Sequence, residues 1–234
     1  VKYSLSMANN KRPKGNFRVI FRKETFNNNG AEWVSDNIDE DIYLTMEDPK
    51  ARVNIAYKKE MPYSIDKAIY TDALGDVLQL RITETVRESE GGAYSPRAYA
   101  SFSREPKSQA FVSVSFDCNP DLAEKLVGIV QEELQKVANG EINDDDLNKT
   151  KTNFIKERQQ AKDKNAYDMQ LLTTFFRYGY NMNEAKNFED IVNSMTKKEL
   201  QTIAKDVMTG GQSYEVVFKP NNNNTISTKE PIKQ

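Results

Sequence analysis

The stretch Arg87-Glu88-Ser89-Glu90-Gly91-Gly92-Ala93-Tyr94 sets a guanidinium and a phenol seven residues apart across a glycine turn. The first is a permanently charged fork of donors and the second a hydroxyl donor. Together they suit hydrogen bonding to a peptide carbonyl, or to the oxyanion it becomes in acyl transfer. On spacing alone a structural account is simpler, since a cation in a last helical turn complements the helix dipole and a tyrosine opening a strand edges a core. Three other groupings are weaker. Asp144, Asp145 and Asp146 lack the alternating oxygen ligands of a calcium loop and suit a helix N-terminus. Glu84 and Glu88, four apart, could pair as acid and base, but Arg81 and Arg87 nearby favour a solvated, salt-bridged face. Phe175, Phe176, Tyr178 and Tyr180 could line a cavity for apolar side chains, and core packing of an amphipathic helix explains them more cheaply.

What the chain lacks narrows the chemistry further. It contains no histidine, which removes the commonest zinc ligand, the usual base near neutral pH and every Ser-His or Cys-His nucleophile. A self-contained hydrolase would have to rest on carboxylates, lysine or tyrosine. Cys118 is the only cysteine, so neither a disulfide framework nor a thiolate metal cluster can form within the chain. Lys and Arg number 33 against 35 Asp and Glu, a formal charge of -2, which provides no basic field for a nucleic-acid backbone. No apolar run approaches the roughly 20 residues of a membrane span. The 234 residues suffice for one sizeable core, and a start at Val1 fits a piece of a longer polypeptide.

The elements that must hold the Arg87 and Tyr94 groups follow from periodicity. Residues 51–60 alternate Val53, Ile55 and Tyr57 on one face up to Pro62, as a half-buried strand does. Ser64 is an N-cap, and Ile65, Ile69, Ala73, Leu74, Val77, Leu78 and Ile82 form one apolar stripe on a helix running to Arg87, which Gly91-Gly92 ends. Tyr94 to Ser103 and Phe111 to Cys118 alternate as a hairpin around Arg104-Glu105-Pro106-Lys107. Asn119-Pro120 opens a second helix reaching Gly140. From Asp144 the pattern is helical almost to Gly210, with a Thr196/Glu199 capping box in its last helix, before a closing strand with Tyr214, Val216 and Phe218. Hairpin strands interleaved with long helices predict an α+β fold, the helices mainly on one face of a largely antiparallel sheet. Residues 1–40, with a β-like run from Phe17 to Phe21, are expected to be a connecting segment, 41–220 the domain, and 221–234 a flexible tail.

The run Leu80-Arg81-Ile82-Thr83-Glu84-Thr85-Val86-Arg87-Glu88, followed by Gly91, Ala93, Tyr94 and Ser95, resembles the insulinase or pitrilysin family of zinc metallopeptidases, the inverzincins. The likeness covers roughly residues 40 to 220 in the same order of elements. It implies a ferredoxin-like α+β domain of the C-terminal half, paired with an N-terminal zinc-binding half around a closed chamber. In that arrangement Arg87 and Tyr94 match the arginine and tyrosine that reach an extended peptide substrate, and zinc with its glutamate base lies on the partner. The family motif His-x-x-Glu-His cannot be present in a chain without histidine, so the resemblance implies a domain inactive on its own that binds no metal. A scaffold or peptide-binding subunit that has lost the metal site is the alternative, and a stand-alone interaction module on the same fold is a third.

Overall fold

The computed structural model describes residues 36–47, 49–88, 93–179 and 187–221. The Phe17–Phe21 run, Gly91-Gly92, Tyr180 and the tail from residue 222 lie outside these residues, as do the side chains of Arg87, Glu88 and Tyr178.

Five strands form one sheet: β1 (Ile38–Leu44), β2 (Ala51–Glu60), β3 (Ala93–Ser103), β4 (Gln109–Cys118) and β5 (Gln212–Pro220), in the order β1-β5-β2-β4-β3. All pairings are antiparallel except that of β1 with β5. The anticipated α+β layer is thus present, with one parallel edge added. β1 was not anticipated. Its residues 39–41 are Asp, Glu and Asp, and it pairs with a strand some 170 residues away, so neither alternation nor a nearby turn announces it.

Six helices complete the described chain: α1 (Ile65–Glu88), α2 (Ala123–Ala138), α3 (Asp144–Lys162), α4 (Asn165–Tyr178), α5 (Phe188–Ser194) and α6 (Lys197–Gly210). Their starts are chemically marked. Ser64 Oγ accepts from the Lys67 amide at 3.2 Å, Asn143 Oδ1 from Asp145 at 3.0 Å, and the Thr196 amide donates to Glu199 at 2.8 Å in the expected capping box. Asn119 caps as anticipated, but Pro120–Leu122 form a 3₁₀ turn and the α-helix starts only at Ala123. Gly140, at φ +92, turns the chain out of α2 in a conformation that a β-carbon would oppose.

The core lies between one face of the sheet and helices α1, α2 and α6. Ile69, Ala73, Leu74, Val77, Leu78, Ile82 and Val86 supply the α1 stripe, against Val53 and Ile55 of β2, Ala100 and Phe102 of β3, and Val112, Val114 and Phe116 of β4. In β5 the buried position is Val217, opposite Val53, so the alternating Tyr214, Val216 and Phe218 occupy the opposite, half-open face. Arg81 does not join a solvated face with Glu84. It crosses to α2, where Nη2 and Nε meet Glu133 at 2.6 and 3.1 Å and Nη1 donates to the Glu141 carbonyl at 2.5 Å.

On the outer side of α1, Asp72 and Asp76 stand one turn apart. Partial burial, reinforced by Asp76, pushes the Asp72 carboxyl up to about 6, and burial together with Glu157 of α3 raises Asp76 as well. A carboxyl raised in the folded state contributes stability that is fully present below the unfolded value near 4 and is lost as pH rises through about 6. Asp76→Asn is therefore expected to raise the thermal midpoint at pH 7 by a few degrees and to leave it nearly unchanged at pH 4. An equal gain at both pH values would exclude carboxylate repulsion as the cause.

Candidate substrate-contact site

One end of the sheet gathers the N-termini of β2 and β3 and the C-termini of β1, β4 and β5: Ala51 pairs with Cys118, Ala93 with Cys118, and Leu44 with Pro220. Tyr94, the second residue of β3, stands here opposite Asp117. Its side chain is 61% exposed and borders an open cleft of about 610 Å³ that also touches Tyr43, Pro49, Lys50, Asn119 and Lys219. Lys219 is held by Asp41 at 2.6 Å and Glu124 at 3.5 Å, and the hydrogen bond it donates to Asp41 holds its ammonium above the usual lysine value. Sequence patterning had singled out neither Tyr43 nor Lys219, because β1 and β5 come together only through long-range pairing.

The placement of Tyr94 depends on how α1 lies along β3. Helix and strand run in opposite directions in close contact. A β-carbon on Gly75 would fall 2.7 Å from the Ala100 nitrogen, so glycine permits the approach. One turn further on, Gln79 reaches Pro96 and Ala98, and one turn beyond that is Thr83. Arg87 follows eight residues after Gln79 on the same helix. The twelve residues from Gly75 to Arg87 rise about 18 Å. Along the sheet, Ala100 pairs with Val112 and Tyr94 with Asp117, five residues of β4 and thus about 17 Å. The two lengths agree because β3 carries one extra residue between Tyr94 and Arg97, where the register shifts and Ser95 takes φ +48. Without that bulge the strand would overrun the helix. The backbone of Arg87 is thereby brought level with Tyr94.

The remaining groupings resolve differently. Asp144 pairs with Lys197 at 2.8 Å and Asp146 with Lys149 at 3.8 Å, in the first turn of α3. The expectation that Phe175 and Phe176 pack in a core is overturned: they are 42% and 50% exposed, beside exposed Met169 and Leu172 on α4. Helical periodicity recorded an apolar face without saying that it faces outward. Among the described residues no three of His, Cys, Asp and Glu are placed to hold a metal ion. Nor is any described helix long and apolar enough to cross a membrane.

The architecture is an α+β domain with an open, mostly antiparallel five-stranded sheet, α1 lying along its bulged edge strand β3. The family model of the peptidase M16 inactive domain matches residues 9–154, more than half of the chain, and the chain belongs to that family. It superposes on the periplasmic protease PqqL from Escherichia coli with a TM-score of 0.69 and 19% identity, over 80% of this chain and 21% of that one. The ferredoxin protease FusC, solved as a mutant in complex with Arabidopsis ferredoxin, gives 0.68 and 15%, over 81% and 21%. The inactive peptidase domain of a putative zinc protease from Bordetella parapertussis gives 0.61 and 11%, over 80% of this chain and 99% of that chain. The chain thus spans about one fifth of the first two proteins. A search of the curated proteins gave no match.

Proposed function

We propose that this chain is the domain of a zinc endopeptidase that contributes substrate contacts, Arg87 and Tyr94, to a metal centre carried by the partner half. The observation that carries the reading is the register of α1 on β3, which brings the Arg87 helix position level with an exposed Tyr94 at the mouth of a cleft. In this reading the Tyr94 phenol and the Arg87 guanidinium donate to the carbonyl of an extended peptide and to the negative charge that gathers there during hydrolysis. Water activation belongs to the zinc-binding half, and the isolated chain is inactive. The working domain begins with β1 at Ile38, a few residues before the boundary at 41 expected from the sequence, and runs to Pro220.

The test is Tyr94→Phe in the zinc-bearing enzyme that contains this domain, assayed on a quenched peptide. Loss of the phenolic donor is expected to lower kcat at least tenfold, with the thermal midpoint unchanged because the hydroxyl is exposed. Unchanged turnover would remove Tyr94 from the reaction and leave the domain as a scaffold.

A further inference from the structure

We propose that Gln79 is a positioning residue, which fixes how far α1 slides along β3 and so sets the spacing between the Arg87 helix position and Tyr94. The proposal rests on the functional reading above.

Pro96 sits within the bulge of β3, and its ring leaves it without an amide donor. The edge facing α1 therefore presents one acceptor, the Pro96 carbonyl, and two residues later one donor, the Ala98 amide. A carboxamide carries both complements. Gln79 Nε2 donates to the Pro96 carbonyl at 3.1 Å, and Oε1 accepts from the Ala98 amide at 2.8 Å. The second Nε2 hydrogen is taken by Thr83 Oγ1 at 2.7 Å, which pins the side chain to the next turn of its own helix. Both amide hydrogens and the oxygen are thus used in a partly buried place, where an unmade bond costs about 1–3 kcal/mol per group.

Apolar packing does not supply this information. The α1 stripe of Leu, Val and Ile touches β3 through Ala98, Ala100 and Phe102, and small side chains resist a slide of an ångström or two only weakly. Directional bonds to two backbone atoms of the bulge resist it strongly, because a shift of about 1 Å takes a hydrogen bond beyond useful geometry. Gln79 also grips the strand just two residues after Tyr94. Reaction geometry is sensitive on the same scale, a misplacement near 1 Å costing about a hundredfold in rate. Glutamate at this position would keep the acceptor and lose the donor to Pro96, while leucine would lose both.

The experiment compares Gln79→Glu, Gln79→Leu, Tyr94→Phe and the double variant Gln79→Leu/Tyr94→Phe in the zinc-bearing enzyme, with amide exchange at Ala98 followed in this chain. Expected are faster exchange at Ala98 in both Gln79 variants, a kcat reduced roughly tenfold by leucine and less by glutamate, and KM little changed. The double variant should be slower than Tyr94→Phe alone by clearly less than the leucine change slows the wild-type enzyme, since one of the two groups that Gln79 spaces is already lost. Losses that multiply in the double variant would overturn the proposal while leaving Tyr94 in its role. Wild-type kcat in Gln79→Leu would overturn it too. If Tyr94→Phe itself has wild-type kcat, the functional reading fails and the proposal with it. Should the leucine variant fail to fold, the glutamate variant combined with Tyr94→Phe gives the same comparison.

Discussion

Arg81→Met is expected to lower the unfolding free energy by about 3 kcal/mol in urea titrations. The side chains of Arg81 and Glu133 are 18% and 10% exposed, and their 2.6 Å contact joins α1 to α2. Methionine replaces much of the aliphatic stem and none of the charge, so the loss is chiefly that of a nearly buried carboxylate deprived of its main partner. Removing one member of a buried pair costs about 3–5 kcal/mol. The lower end applies because Lys136 remains on Glu133 at 2.8 Å. Burial pushes the Glu133 carboxyl up, yet hydrogen bonds from Lys136 and Arg81 outweigh it and hold the group below the usual glutamate value. A depressed carboxyl stabilises above its unfolded pKa, and that stability is lost as pH falls through the folded value. The gap between wild type and variant should accordingly narrow in acid. A loss under about 1 kcal/mol at pH 7 would place the pair among ordinary surface bridges.

Gly75→Ala is the second large effect, and two terms of opposite sign decide it. Alanine is favoured over glycine inside a helix by about 1 kcal/mol. Against this, the new methyl would lie 2.7 Å from the Ala100 nitrogen and 3.3 Å from its β-carbon, and Ala100 is almost fully buried within a paired strand. Nothing there can rotate away. Overpacking of this kind costs about 1–3 kcal/mol, and because a backbone atom is struck we take the upper part of that range, for a net loss of about 2 kcal/mol. Relief requires α1 to lift or slide, so amide exchange at Ala98 should quicken along with the fall in stability. A more stable variant would show that helix propensity wins and that the contact has slack.

Much of this fold could be read from the chain because its determinants are local. The α1 stripe from Ile69 to Ile82, the β3–β4 alternation and the Thr196 capping box each depend on residues within one element or one turn. What escaped was tertiary. The acidic middle of β1 hides a strand whose partner is β5, and the period of α4 identifies Met169, Leu172 and Phe176 as one face while leaving open whether that face is covered. Arg81, four residues from Thr85 and three from Glu84, reads as part of a surface network, yet its partner is on another helix. Of the candidate site, Tyr94 was singled out through the family resemblance, because spacing and glycine punctuation alone favoured a structural account. Gln79 was not, since no local rule marks a glutamine whose partners are two strand atoms seventeen and nineteen residues away.

The strand order carries a consequence for how the molecule is made. β5, the last of the described strands, lies between β1 and β2, the first two of them, which are joined by only the short segment 45–50. During synthesis β1 and β2 leave the ribosome as a loop with an empty slot, and the strand that fills it follows some 150 residues later. At translation speeds of about 5–20 residues per second this is a delay of many seconds. Through that interval the unpaired edges of β1 and β2 are open to strands of other nascent chains. The acidic run Asp39-Glu40-Asp41 on the outermost of them is well placed to repel such visitors until Gln212–Pro220 arrives and closes the sheet.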